Sequence, residues 1–157
     1  MSPEFSPQTK KKIEEILAHY PKKEAAILPI LHLTQQEFGA ITVEAEKRVA
    51  QLLGIKPIRV REVVTFYTML KRQPQGRYLI QVCTNLSCSL LGSERLLNTL
   101  KRKLGINVGE TTPDKKFTLA TVECLGACDQ APCMMINLDY HTGLSEDKID
   151  EILGSLK

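Results

Sequence analysis

Val82-Cys83-Thr84-Asn85-Leu86-Ser87-Cys88 and Glu123-Cys124-Leu125-Gly126-Ala127-Cys128 hold four of the five cysteines in this 157-residue chain. Each pair follows a short run with the look of a β-strand, and each lies in a loop-like stretch. Two loops delivering two thiolates apiece can wrap one metal centre. Packing alone does not produce two close cysteine pairs. Zinc knuckles and thioredoxin-type redox pairs favour Cys-x-x-Cys, which is absent here. The gaps are four and three residues. A Cys-x4-Cys pair opens the plant-type ferredoxin pattern, although the third cysteine of that pattern is missing. Spacing therefore favours an iron–sulfur centre on Cys83, Cys88, Cys124 and Cys128. It leaves zinc, redox-active thiols and inert thiols open.

The residues between the cysteines suit a buried anionic group. Four thiolates and two sulfides give an oxidised 2Fe-2S unit a formal charge of about minus two, which must be hydrogen-bonded if buried. Ser87, Ser89, Gly126 and Ala127 are small, so backbone N–H groups can approach sulfur. Ser93 is expected to cap the next helix, turning its positive end towards the site.

These residues also carry a resemblance. Val-Cys-x4-Cys followed by Glu-Cys-Leu-Gly-Ala-Cys-x-x-Ala-Pro is similar to the thioredoxin-like 2Fe-2S subunit of bacterial NADH:quinone oxidoreductase (complex I), known as its E subunit. The likeness extends to Tyr20-Pro21-Lys22-Lys23, Leu28-Pro29, Leu31-His32-Leu33, Gln36-Glu37-Phe38-Gly39 and Thr65-Phe66-Tyr67-Thr68-Met69, nearly the whole chain. It implies a helical N-terminal part before a thioredoxin-like domain, and a 2Fe-2S cluster on the four cysteines. It implies electron transfer without turnover by the isolated chain. The partners it implies are an NADH- and FMN-binding flavoprotein and further iron–sulfur subunits. In such complexes this cluster lies near the flavin but off the main electron path, where it is suggested to hold an electron temporarily. Small subunits of NAD-dependent formate dehydrogenases and bifurcating hydrogenases resemble the same pattern and form the alternative. Free-standing thioredoxin-like ferredoxins lack a comparable helical extension.

Composition narrows the field. The chain is 43% hydrophobic and 25% charged, with a net charge of +3, as in an ordinary soluble globule. Lys10-Lys11-Lys12 and Lys101-Arg102-Lys103 read as solvated helix faces, so nucleic acid is not an expected partner. No apolar run reaches membrane-spanning length. No signal peptide is evident, which suggests a reducing compartment. The expected location is the cytoplasm, peripheral to the inner membrane through the complex. His19, His32 and His141 stand in unrelated contexts. No nucleotide-binding glycine motif or nucleophile–base pair is visible.

The expected architecture is α/β: a helical N-terminal domain over 6–70, then a thioredoxin-like 2Fe-2S domain over 77–157. Residues 1–5 read as a loose terminus. Ser6 caps a helix with Pro7 at its first position. Lys23 to Phe38 is a second helix, with a kink or a late start at Pro29. Thr42 caps a third, whose first turn carries Glu44 and Glu46. Pro57 opens a fourth, although its β-branched residues also permit a strand. The apolar faces of this unit make it the candidate for docking to partners. Lys71 to Gly76 is a linker.

In the second unit Tyr78 to Val82 is a buried strand, Ser93 to Leu104 a helix and Phe117 to Val122 a second strand. Cys133 to Ile136 is a third, with a turn at Tyr140 to Gly143 leading to a short fourth. Ser145 caps the last helix. A right-handed parallel crossover through helix 93–104 brings both cysteine loops to one end of the sheet. Cys133 reads as a small apolar side chain at a strand start. Related subunits usually carry an aliphatic residue there, so it stands as a competing thiol. The thioredoxin-like resemblance implies a cis bond before Pro132.

Overall fold

In this computed structural model, which describes residues 4–156, the chain divides into two units, one ending at Pro74 and the other running from Gln75.

The first unit is helical. The Ser6 side chain accepts from the Thr9 N–H, and Pro7 stands at the first position of helix α1 (Pro7–Ala18). The terminus before it is not loose over its described part. Phe5 is buried, 5.1 Å between ring centroids from Phe38, because an aromatic ring gains more from apolar cover than the chain loses in freedom. Residues 1–3 lie outside the described residues. Glu37 accepts from the Ser6 N–H and the Thr9 hydroxyl, which hold its carboxyl below the usual range.

A single 3-10 turn, Lys23–Ala26, precedes α2 (Ile27–Phe38). Pro29 therefore falls in the first turn of α2, where its missing N–H has no partner to lose. The late start is realised and a kink is not needed. Helices α3 (Val43–Leu53) and α4 (Pro57–Phe66) follow, α3 capped by Thr42 and closed by Gly54. The strand alternative for α4 gives way because Val60 and Val64 are buried one turn apart, a helical period. Ile13, Ile30, Leu31, Val49, Val60 and Val64 share one core. Glu46 stands in the first turn of α3 as expected and is buried there, with Arg61 at 2.6 Å and Arg72 at 3.7 Å.

The second unit is a mixed sheet with helices. Its strands are β1 (Tyr78–Cys83), β2 (Phe117–Val122), β3 (Met134–Ile136) and β4 (Asp139–His141), in the order β2-β1-β3-β4. β1 and β2 are parallel, with Tyr78 opposite Phe117 and Cys83 opposite Val122. β3 runs antiparallel to β1, with Val82 opposite Met134, and β4 antiparallel to β3.

Between β1 and β2 lie a short helix α5 (Leu86–Leu90) and α6 (Ser93–Leu104). The last helix is α7 (Glu146–Ser155), capped by Ser145 as expected. Leu96 and Leu100 of α6 and Ile149 of α7 pack with Ile80, Val82, Leu119 and Met134 of the sheet.

Three expectations fail locally. The turn expected at Tyr140 to Gly143 falls at Asn137 and Leu138, and Tyr140 and His141 belong to β4. The first cysteine loop contains α5, a helix too short to leave a periodic signature. Ser93 does not cap α6; Gly92 does, at φ 97°, a conformation costly for any residue with a Cβ. Ser93 is the first helical residue and is buried.

At Gly76 an added Cβ would lie 2.7 Å from the Phe117 carbonyl carbon and 3.0 Å from the Phe117 and Thr118 nitrogens. These are backbone atoms of β2 that cannot yield. Gly76→Ala should therefore destabilise the second unit by about 1–3 kcal/mol in urea unfolding. Gly154→Ala, in α7 with nothing within 4 Å of the new atom, should stabilise it by up to ~1 kcal/mol.

Candidate metal centre

The sheet brings three chain segments to one edge. β1 and β2 are parallel, so their C-terminal ends coincide; β3 is antiparallel, so its start joins them. Cys83 ends β1 and is bound on both sides. Its N–H donates to the Cys133 carbonyl at 3.2 Å, and the next N–H, that of Thr84, donates to Val122 at 3.0 Å. The Thr84 hydroxyl adds a second bond to the Val122 carbonyl. Cys88 lies one turn into the neighbouring helix α5, whose N-cap Asn85 accepts from the Leu86 N–H. That short helix is amphipathic at single-residue scale. Cys88 is 2% exposed, whereas Leu86, Leu90 and Leu91 are exposed.

The second cysteine loop meets the first at Cys83. The Cys83 thiol donates weakly to the Glu123 carbonyl at 3.7 Å, and the Leu125 N–H points at the same sulfur. Glu123 and Leu125 bracket Cys124, so this ligand candidate is carried to the edge of the Cys83 site. Cys124 and Cys128 are themselves exposed, and none of the five cysteines is disulfide-bonded. Gly126 takes φ 77°, which lets its N–H approach the Cys124 sulfur at 3.3 Å. Leu125 and Ala127 pack against the buried thiols.

The loop is tied down from outside by the β4 hairpin. The Tyr140 hydroxyl donates to the Leu125 carbonyl at 2.9 Å, Thr142 donates to the Gln130 side chain at 2.9 Å, and the Gly143 N–H donates to the Gln130 carbonyl. Sequence reasoning misses this role of Tyr140, Gln130 and Thr142, since no local spacing links the second strand of a hairpin to a loop fifteen residues earlier.

The structure also gathers a residue not counted among the four. The sulfurs of Cys83, Cys88 and Cys133 lie within 4.8 Å of one another, and Cys88 and Cys133 are 3.7 Å apart. Cys133 is fully buried immediately before β3, after a cis Ala131–Pro132 bond.

Their acidities separate. Burial pushes the Cys83 thiol up, but N–H groups of Asn85 and Leu125 and the neighbouring thiols outweigh it, leaving Cys83 below its ordinary value. Burial raises Cys88 despite the Cys133 N–H. Burial, followed by Cys88 beside it, pushes Cys133 up to about 12. The N–H donors expected from the small residues near Cys88 come from elsewhere: the Ser89 N–H is bonded to Asn85 inside α5.

A donor set of soft thiols, two buried among N–H groups and two on an adjoining loop, suits an iron–sulfur cluster. A cavity of about 600 Å³ between the starts of α6 and α7, lined by Arg95, Thr99 and Glu146 among others, brings in none of the cysteines.

Known proteins point the same way. The family described as Thioredoxin-like [2Fe-2S] ferredoxin matches residues 13–157. The second NADH-quinone oxidoreductase E subunit of Rhizobium meliloti (strain 1021) is 46% identical over 148 residues, 94% of this chain and 88% of that protein. The NADH-quinone oxidoreductase E subunit of Aquifex aeolicus is 42% identical over 150 residues, 96% of this chain and 94% of that protein. NADH dehydrogenase [ubiquinone] flavoprotein 2, mitochondrial, of Dictyostelium discoideum is 45% identical over 157 residues, 98% of this chain and 64% of that protein. Among solved structures, an NAD+-reducing [NiFe]-hydrogenase in the air-oxidized state aligns with 83% of this chain and 22% of its own. The TM-score is 0.73 at 23% identity, a likeness of fold.

Exposure and acidity together set the order of thiol modification in the reduced, metal-free chain. Iodoacetamide at about pH 7.5 should label Cys124 and Cys128 first and Cys133 only after unfolding, as read by peptide mass spectrometry. Tyr140→Phe removes one tie on the second loop. It should speed cluster loss to a chelator by about threefold, in keeping with a half-exposed hydrogen bond of well under about 1.5 kcal/mol.

Proposed function

The chain belongs to the Thioredoxin-like [2Fe-2S] ferredoxin family, and we propose that within it Cys83, Cys88, Cys124 and Cys128 are the thiolates that hold the 2Fe-2S cluster. One observation carries the assignment. Glu123 and Leu125, on either side of Cys124, both meet the Cys83 sulfur, so the two cysteine loops share one site. The chain is an iron–sulfur electron-transfer subunit of the NADH:quinone oxidoreductase type.

When bound, the cluster supplies a one-electron carrier. The protein supplies its setting. Cys83 and Cys88 anchor the buried side, held by the sheet and by α5. The Asn85 and Leu125 N–H groups stabilise negative charge on Cys83 sulfur. Gly126 does the same for Cys124. Tyr140 fixes the carbonyl next to Gly126 and so fixes the loop.

The partners in this reading are an NADH- and FMN-binding flavoprotein and further iron–sulfur subunits. Two sets of exposed apolar side chains support docking. Phe66, Tyr67 and Met69 lie in the helical unit, with Phe66 78% exposed. Leu86, Leu90 and Leu91 lie around Cys88. No helix among the described residues is long and apolar enough to cross a membrane. Attachment to the cytoplasmic side of the inner membrane would therefore run through the complex. For the hydrogenase alternative the support is a likeness of fold at 23% identity. The three relatives named above, each more than 40% identical, carry the names of NADH-quinone oxidoreductase or NADH dehydrogenase.

Anaerobically purified protein should contain iron and acid-labile sulfide in equal amounts and give a 2Fe-2S EPR signal after dithionite. Cys124→Ser and Cys128→Ser should each lose most of the iron. A colourless, zinc-loaded sample would refute electron transfer. Removing residues 1–70 should abolish copurification with the flavoprotein; unchanged assembly would refute docking through the helical unit.

A further inference from the structure

Cys133 is the buried thiol that the four-cysteine assignment leaves without a role. It is not an isolated cysteine. Its sulfur is 3.7 Å from that of Cys88, and with Cys83 the three sulfurs fall within 4.8 Å. Its carbonyl accepts the Cys83 N–H, so its backbone is fixed in the same ladder as the ligand. Leu125, Ala127 and Ala131 pack around the three. A side chain so placed touches the cluster's ligands whatever else it does.

Resting on the ligand assignment above, we propose that Cys133 is a positioning residue for the cluster, not a ligand: its S–H donates to the Cys88 sulfur and raises the reduction potential. Ligand thiols are deprotonated when they bind metal. Once Cys83 and Cys88 are ligands, Cys133 is the one thiol of the three that keeps a proton. Ionising it as well would place a fifth thiolate in a dry site that already carries excess negative charge, which desolvation strongly disfavours. The proton needs an acceptor, and the Cys88 sulfur is at S–H···S distance. A hydrogen bond to a ligand sulfur strengthens as the cluster gains an electron. Its effect is therefore to favour the reduced form. No change in the oxidation state of Cys133 is involved.

The experiment compares the full-length holoprotein with Cys133→Val, which fills similar volume without a donor, and Cys133→Ser, which keeps one. Iron, sulfide, the EPR-monitored redox titration and the resonance Raman Fe–S bands are measured for each. Cys133→Val is expected to keep its cluster. At fixed potential its reduced-to-oxidised ratio should fall about three- to tenfold, tenfold being about 59 mV for one electron. Cys133→Ser should return towards the parent. An unchanged midpoint and unchanged Fe–S bands in Cys133→Val would overturn the tuning role and leave the four ligands standing. Loss of iron from both variants, with native circular dichroism, would make Cys133 a ligand and overturn the ligand assignment as well. Should Cys133→Val not fold, Cys133→Ala carries the same comparison.

Discussion

Everything at the metal centre depends on the hydrogen bonding of β1 at its last residue. Cys83 ends a strand paired on one side with β2 in parallel and on the other with β3 in antiparallel register. Those two directions are what bring the exits of β1 and β2 and the entry of β3 to one edge. An antiparallel β1–β2 pair would send the second cysteine loop to the far end of the sheet. A one-residue slip of β1 would turn Cys83 to the opposite face. The core beneath the sheet, with Ile80, Val82, Leu119 and Met134 packed with α6 and α7, holds that register. The apolar packing of the second unit is thus the remote support of the metal site.

The candidate ligands divide into a dry pair and a wet pair, and the division follows from secondary structure. Cys83 and Cys88 sit on a strand end and a helix turn, where the backbone satisfies its own polar groups and the thiols can be buried. Cys124 and Cys128 sit on a loop and a 3-10 turn, Cys128–Gln130, which remain at the surface. The loop is held by a few side-chain bonds to the β4 hairpin rather than by a ladder. Charge on the inner sulfurs is compensated by fixed N–H groups. Of the outer pair, Cys124 has the Gly126 N–H beside it, and both lie open to solvent.

Much of this is legible in the sequence. The two cysteine pairs, the flanking strands and the parallel pairing that unites their ends all follow from spacing and periodicity, and so do the Ser6, Thr42 and Ser145 caps. What cannot be read depends on contacts across long separations or on special backbone angles. Glu46 is the first-turn acid its position implies, but its burial beside Arg61 and Arg72 has no local signal. Phe5 looks like a frayed end until Phe38 covers it. Ser93 has the chemistry of a cap, but the left-handed residue before it takes that position. The burial of Cys133 follows from its place at a strand start, yet its nearness to Cys88 requires the β1–β3 register, which no motif announces.

The wet side also bears on how the free chain relates to its complex. Leu86, Leu90 and Leu91 expose apolar area around Cys88, and Cys124 and Cys128 lie open to water. A partner covering these leucines would at the same time remove water from the neighbourhood of the candidate ligand sulfurs. Excluding water withdraws solvation from the more highly charged reduced cluster and strengthens the remaining N–H and S–H contacts. These two effects oppose each other. Their balance depends on how many donors the protein itself aims at sulfur, and the N–H groups of Asn85, Leu125 and Gly126, with the Cys133 thiol in the role proposed above, are what this chain brings to it. On the proposed reading, a potential measured on the free chain would report the solvated balance, and assembly would reset it without any change of ligand.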